Sequence, residues 1–148
     1  MFNSEAKASG KLNVVLKDAE GNIKQAFEVP NLVVTSGLAF IASRMKDTTD
    51  TAMSHMAIGT GTTAAAAGNT ALGAEVARVA LTSTTVTANA IAYVASFAAG
   101  TGTGAITEAG IFNASSVGTM LCRTVFAVVN KGASDTLQIT WTVTLSAS

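Results

Sequence analysis

Between Thr136 and Leu145 apolar and polar residues alternate without interruption, with Leu137, Ile139, Trp141, Val143 and Leu145 on one side and Gln138, Thr140, Thr142 and Thr144 on the other. A repeat of two belongs to an extended strand and not to a helix, so this segment requires a sheet with one buried and one wet face, and the five apolar residues are expected in the core. Further β-rich runs precede it: Lys11–Lys17 and Ile23–Val29 around a turn at Asp18–Asn22, Met53–Ile58, Ala77–Thr87, Asn89–Phe97 after a turn at Ala88 and Asn89, Ile106–Phe112 and Thr119–Val129. About eight strands separated by Gly-rich turns predict an all-β fold, a β-sandwich or jelly-roll-like arrangement, with an open barrel as the alternative.

One helix interrupts the pattern, expected over 36–46. Pro30 and Asn31 are expected to stop the first hairpin, and Thr35 and Ser36 can cap the helix. Leu38, Ile41, Ala42 and Met45 fall at helical spacing and predict its buried stripe, and Arg44 and Lys46 suit the negative end of its dipole. A chain of 148 residues fits one domain. Within it, residues 1–9 read as a flexible arm, 10–30 as an N-terminal hairpin and 31–148 as the helix and sandwich core, with an Ala/Gly/Thr-rich loop over 62–73.

Nine Lys/Arg balance nine Asp/Glu, but they are unevenly spread. From Thr51 onward only Glu75, Arg78, Glu108, Arg123, Lys131 and Asp135 are charged. Charged residues ordinarily make up about a quarter of a globular chain and keep monomers apart, so a stretch this neutral favours association. No block of like charge exists to meet a phosphate backbone, and direct nucleic-acid binding is not expected. No apolar run approaches a bilayer span, and the first residues lack the basic start and apolar run of a signal peptide, so a soluble product made in a cytoplasm, without membrane contact, is expected.

Each candidate catalytic constellation lacks a necessary partner. Gly59-Thr-Gly-Thr-Thr-Ala64 matches a dinucleotide fingerprint formally, but no carboxylate follows at the distance needed for a ribose, and the surroundings read as strand–loop–strand. Gly100-Thr-Gly-Thr-Gly104 lacks the Lys-Ser/Thr of a phosphate loop; both clusters read as turns. Cys122 shares a strand face with Met120, Phe126 and Val128 and reads as a buried, inert thiol, and the only histidine, His55, as a satisfied residue on an edge strand. Glu75 and Glu108 could in principle form an acid/base pair, but Arg78 and Arg123 in the same charge-poor region make structural ion pairs among Glu75, Arg78, Glu108 and Arg123, within or between subunits, the simpler account. No catalytic residue, metal ligand or cofactor is expected, and the chain is read as non-enzymatic.

Several segments in order carry a resemblance: Asn31-Leu-Val-Val-Thr-Ser-Gly-Leu38, Ala57-Ile-Gly-Thr-Gly-Thr62, Asn69-Thr-Ala-Leu-Gly-Ala-Glu75 with Arg78, Thr107-Glu-Ala-Gly-Ile-Phe-Asn113, Gly118-Thr-Met-Leu-Cys-Arg123 and Ile139-Thr-Trp-Thr-Val143. From about Asn31 onward the chain resembles small structural proteins of tailed-bacteriophage particles, of the capsid cement or decoration type. Similar sequences are also described as tail or tail-fibre proteins. The resemblance implies a virion component on the capsid exterior, made in the host cytoplasm, that binds the major capsid protein and copies of itself as a dimer or trimer. A tail or tail-fibre-associated role, or a receptor- or carbohydrate-binding β module, is the alternative; the absence of heptads and of abundant aromatics weighs against these.

Overall fold

The computed structural model describes residues 5–147, and within them the chain is mostly strand with one short helix. The strands are β1 (Ala6–Lys17), β2 (Ile23–Val33), β3 (His55–Gly59), β4 (Glu75–Ala80), β5 (Ser83–Thr87), β6 (Ala90–Phe97), β7 (Gly104–Phe112), β8 (Met120–Lys131) and β9 (Thr136–Ala147), and α1 (Thr35–Arg44) follows β2. They form one curled sheet in the order β4-β3-β7-β8-β2-β1-β9-β6-β5, every pair antiparallel.

The curl makes a sandwich-like fold with two layers. β2 pairs along most of its length with β1, yet its last two residues, Leu32 and Val33, pair with Arg123 and Cys122 of β8. Pro30 therefore does not end the hairpin as expected. It lies inside β2 where the ladder changes partner, a position that tolerates a residue without an N–H. On the far side, the run expected as one strand over Ala77–Thr87 is two. After β4 the chain bends at Leu81 and Thr82, whose N–H groups donate to Ser54 O (2.9 Å) and Val94 O (2.7 Å), and so passes from one end of the sheet order to the other.

The inner face of the β1, β9, β6 layer follows the period-two pattern: Leu12, Val14 and Leu16 lie opposite Trp141, Ile139 and Leu137, and Tyr93 and Phe97 continue the rows. Met56, Ile58, Ile106, Ile111, Phe126 and Val129 face them from the other layer, and the Phe27 and Phe126 rings meet at 5.7 Å. Leu137, Ile139, Trp141 and Val143 are core residues, but Leu145 is 41% exposed. The strand outruns the covering layer there, and Leu145 stands at the mouth of an open groove. Phe126 is buried as expected, but Val128, expected on the same face, is exposed, because the β7–β8 register shifts between Ile106 and Glu108 and moves the next buried position from Val128 to Val129.

Two further expectations give way at the chain's first third. Of the arm over 1–9, Ala6–Ser9 are strand, Ala6 standing opposite Ala147, while residues 1–4 lie outside the described residues. The helix buries Gly37 and Phe40, and of the predicted stripe only Ile41 packs against the core, half-buried: Leu38 is 47% and Met45 85% exposed. Neither Thr35 nor Ser36 caps it. Val34 occupies the cap position without a side-chain bond, Thr35 N–H donates to Ala67 O (2.8 Å), and Ser36 Oγ donates to Met120 O (2.9 Å). The helix is thus held by the elements it packs on instead of by its own sequence.

Candidate functional site

The outer face of the β3–β7–β8 layer carries a cluster of charge that the loop 60–74 covers. Register places Glu108 of β7 beside Gly59 of β3, and Arg123 of β8 beside Gly110 of β7, with all four on this outer face. Arg123 donates to Glu108 Oε1 from Nη2 (2.9 Å) and Nε (3.2 Å), and the two residues are 2% and 0% exposed. Three backbone amides complete the carboxylate's shell: Gly61 (2.7 Å) and Ala74 (2.7 Å) donate to Oε2, and Gly73 (2.8 Å) to Oε1. The remaining guanidinium donors reach Asn69 Oδ1 (2.9 Å) and Thr63 O (3.0 Å), and Thr107 Oγ1 donates to Gly61 O (2.7 Å).

Burial pushes the Glu108 carboxyl up, but the amides of Gly73 and Ala74, the Arg123 guanidinium and the amide of Gly61 outweigh it and hold the group below its ordinary range. Both oxygens are saturated by donors, so Glu108 is a fixed anion with no lone pair turned toward solvent. The glycines explain how the carboxylate fits. A Cβ at Gly61 would collide with the Glu108 carboxylate, and one at Gly59 would stand 2.6 Å from Oε2. The Gly59-x-Gly61 cluster therefore does what a phosphate loop does, turning a backbone amide onto an anion, but the anion is the chain's own side chain.

A second pair lies nearby. Arg78 donates to Glu75 through Nε (3.0 Å) and Nη2 (2.7 Å), and to Ala114 O (3.0 Å) and Val117 O (2.9 Å) through Nη1. Its guanidinium lies 3.8 Å from the Phe112 ring centroid, tying the β4 edge to the 113–118 loop. The four charges singled out in the sequence thus form two separate pairs within one chain, and Glu75 and Glu108 do not converge as an acid/base couple. Leu72, Phe112, Met120, Val34 and Ala57 pack beside them as a small second core.

Cys122 and His55 do not meet. Cys122 belongs to the interior, fully buried, where burial pushes its thiol well above the ordinary value. His55 sits in register with Phe112 on the outer face, and its Nδ1 is 2.8 Å from Ser54 Oγ. It is not on an edge, since β3 has β4 and β7 on its two sides. Cys122 is accordingly expected to resist a thiol reagent such as dithionitrobenzoate in the folded protein and to react fully in denaturant; rapid labelling under native conditions would contradict its burial. Among the described residues no three His, Cys, Asp or Glu side chains converge as a metal-ligating group. Gly100, Gly102 and Gly104 occupy the turn into β7 with φ of 83°, 70° and 139°, conformations that favour glycine.

Sequence reasoning missed an apolar groove of about 540 Å³ between α1 and the open end of the β5–β6–β9 layer, lined among others by Phe40, Ile41, Met45, Val86, Tyr93 and Leu145. Desolvation raises the Tyr93 phenol to about 12, so its hydroxyl is neutral there. The signal was the row of apolar side chains left exposed along it, Met45, Val86 and Leu145, which only packing reveals. No protein-family model, curated protein or solved structure matches the chain.

Proposed function

We propose that the protein is a non-enzymatic structural subunit of a tailed-phage particle, seated on the outside of the assembled capsid as a cement or decoration protein and contacting the major capsid protein and its own copies. One observation carries the reading. All six charges after residue 50 are engaged inside the molecule: Glu108 with Arg123, Glu75 with Arg78, Lys131 with Ala98 O (2.9 Å), and Asp135 with Lys24 (2.7 Å). Only Glu75 keeps a third of its side chain in water. The exterior built from β3 to β9 is therefore Thr-, Ser- and Ala-rich and almost free of charge, a surface that associates instead of repelling.

Such a surface suits many weak contacts. Thr hydroxyls hydrogen-bond without the desolvation cost of ions, and a ligand that binds the assembled shell better than its free subunits stabilises the shell by its differential binding. The saturated Glu108 carboxylate and the sealed Cys122 are consistent with a non-catalytic role. The resemblance in the ordered segments from Asn31 onward supports a phage particle as the setting. The test is stoichiometry: purified particles are expected to hold copies in the hundreds, comparable with the major capsid protein, and particles lacking the protein to rupture under milder heat or chelation. A few copies per particle would move it to the tail and overturn the cement assignment.

A further inference from the structure

The two ends of the curled sheet are treated differently. The β4 end carries Glu75 and Arg78, and Arg78 clamps the 113–118 loop against it. The β5 end, Ser83-Thr-Thr-Val-Thr87, pairs only with β6 among the described residues, and all five residues are exposed. It has no charge and no proline, the devices by which proteins ordinarily keep an edge strand from pairing with another chain. Its composition is also that of a good strand.

The register says which backbone groups are free. β5 and β6 close on Thr87 opposite Ala90, with Ala88 and Asn89 as a two-residue loop and Ala88 at φ 52°. A two-residue hairpin closes on a hydrogen-bonded pair, so Thr87, Thr85 and Ser83 turn their N–H and C=O toward β6, and Thr84 and Val86 turn theirs outward. Thr84 and Val86 also point their side chains into the apolar groove, where Val86 is 70% exposed.

We propose that β5 is a homodimerisation edge, pairing antiparallel with β5 of a second copy about a two-fold axis through Thr85. In that register Thr84 lies opposite Val86 of the other copy, and the two outward-facing residues of each strand exchange four main-chain hydrogen bonds. Thr85 faces its own symmetry mate in the non-hydrogen-bonded site, where side chains come closest and Thr–Thr pairs are favourable. Val86 of each copy packs beside Thr84 of the other, and the two grooves join across the axis. A second copy fits because the strand is complementary to itself in this register and brings no like charges together. The two-fold closes on itself and yields a dimer, not a trimer. This holds wherever in a particle the protein sits.

Sedimentation of the full chain over a concentration series tests it, since a two-strand contact lies at the small end of specific interfaces. The wild type is expected to shift from monomer to dimer. Val86→Pro removes an outward N–H without touching the β5–β6 ladder, and Val86→Lys adds the missing edge charge; both are expected to stay monomeric with an unchanged β circular dichroism spectrum. Under mild oxidation Thr85→Cys is expected to give a disulfide-linked dimer and Thr87→Cys, opposite Ser83 of the other copy, none. A wild type monomeric throughout, a dimer surviving both Val86 variants, a trimer, or cross-linking at Thr87→Cys in preference to Thr85→Cys would overturn the proposal.

Discussion

Arg123→Ala is expected to destabilise the protein by about 3–5 kcal/mol, because it strips the partner from a carboxylate that cannot reach water. That is a large part of the roughly 5–15 kcal/mol that holds a domain of this kind folded. The usual remedy for a buried ion pair, two well-packed apolar residues in its place, should fail here. Three of the five hydrogen bonds to Glu108 come from the amides of Gly61, Gly73 and Ala74, and an apolar residue at 108 would orphan them all. Urea unfolding of Arg123→Ala, Glu108→Gln and the double variant measures this. The two single changes should be strongly non-additive, since either one already disrupts the shared network. Additive costs would show that the loop amides and the guanidinium act independently.

The same carboxylate fixes a direction with pH. Its pKa in the fold lies below the ordinary 4.5, so the folded state binds fewer protons than the unfolded chain. Its contribution is complete above about pH 4.5 and is lost as the pH falls through the folded value. Asp135, held low by Lys24 and the Gly132 amide, adds in the same sense, as do the exposed Asp18 and Asp47. The urea midpoint should therefore be level from neutrality to about pH 4.5 and fall below it. In Glu108→Gln the acid limb should be shallower, starting from a lower plateau.

What the sequence makes legible follows from whether a residue's role is local. The alternation over Leu137–Leu145 identifies an inner face correctly through Val143, because period and burial coincide wherever a second layer lies above the strand. Leu145 fails because alternation marks a face and says nothing of how far the covering layer extends. Val128 fails because a register shift between β7 and β8 is set by two strands together and leaves no mark on one. The site divides in the same way. Scarcity of charge makes Glu75, Arg78, Glu108 and Arg123 conspicuous, but the amides that hold Glu108 come from positions 34 to 47 residues away, and no spacing rule connects them. Gly59 and Gly61 read as a turn and Gly73 as part of the loop over 62–73, but nothing in the sequence shows that all three make room for one carboxylate.

Gly37→Ala offers the sharpest contrast between local preference and tertiary fit. Judged as a helix residue, alanine at position 37 should help: glycine inside a helix costs about 0.5–1 kcal/mol relative to alanine. In the fold the opposite is expected. Gly37 is buried where α1 crosses β8, and a Cβ there would overlap the carbonyl oxygen of Leu121 and stand 2.9 Å from its Cα. The obstacle is backbone, not the end of a flexible side chain. Val34 N–H already donates to that carbonyl (3.2 Å) and Ser36 Oγ to its neighbour Met120 O, so neither strand nor helix can yield without breaking bonds. Overpacking of this kind costs about 1–3 kcal/mol and exceeds the propensity gain, so a net loss is expected. Gly68 is the control, with nothing within 4 Å of an added Cβ, and Gly68→Ala should leave the urea midpoint close to wild type. Because α1 forms one wall of the groove, lifting it should also expose Phe40 and Ile41, and Gly37→Ala should bind a hydrophobic dye more strongly than either the wild type or Gly68→Ala. A Gly37→Ala protein as stable as wild type would mean that the helix rides on the sheet loosely, and that burial at Gly37 reflects small size and not close approach.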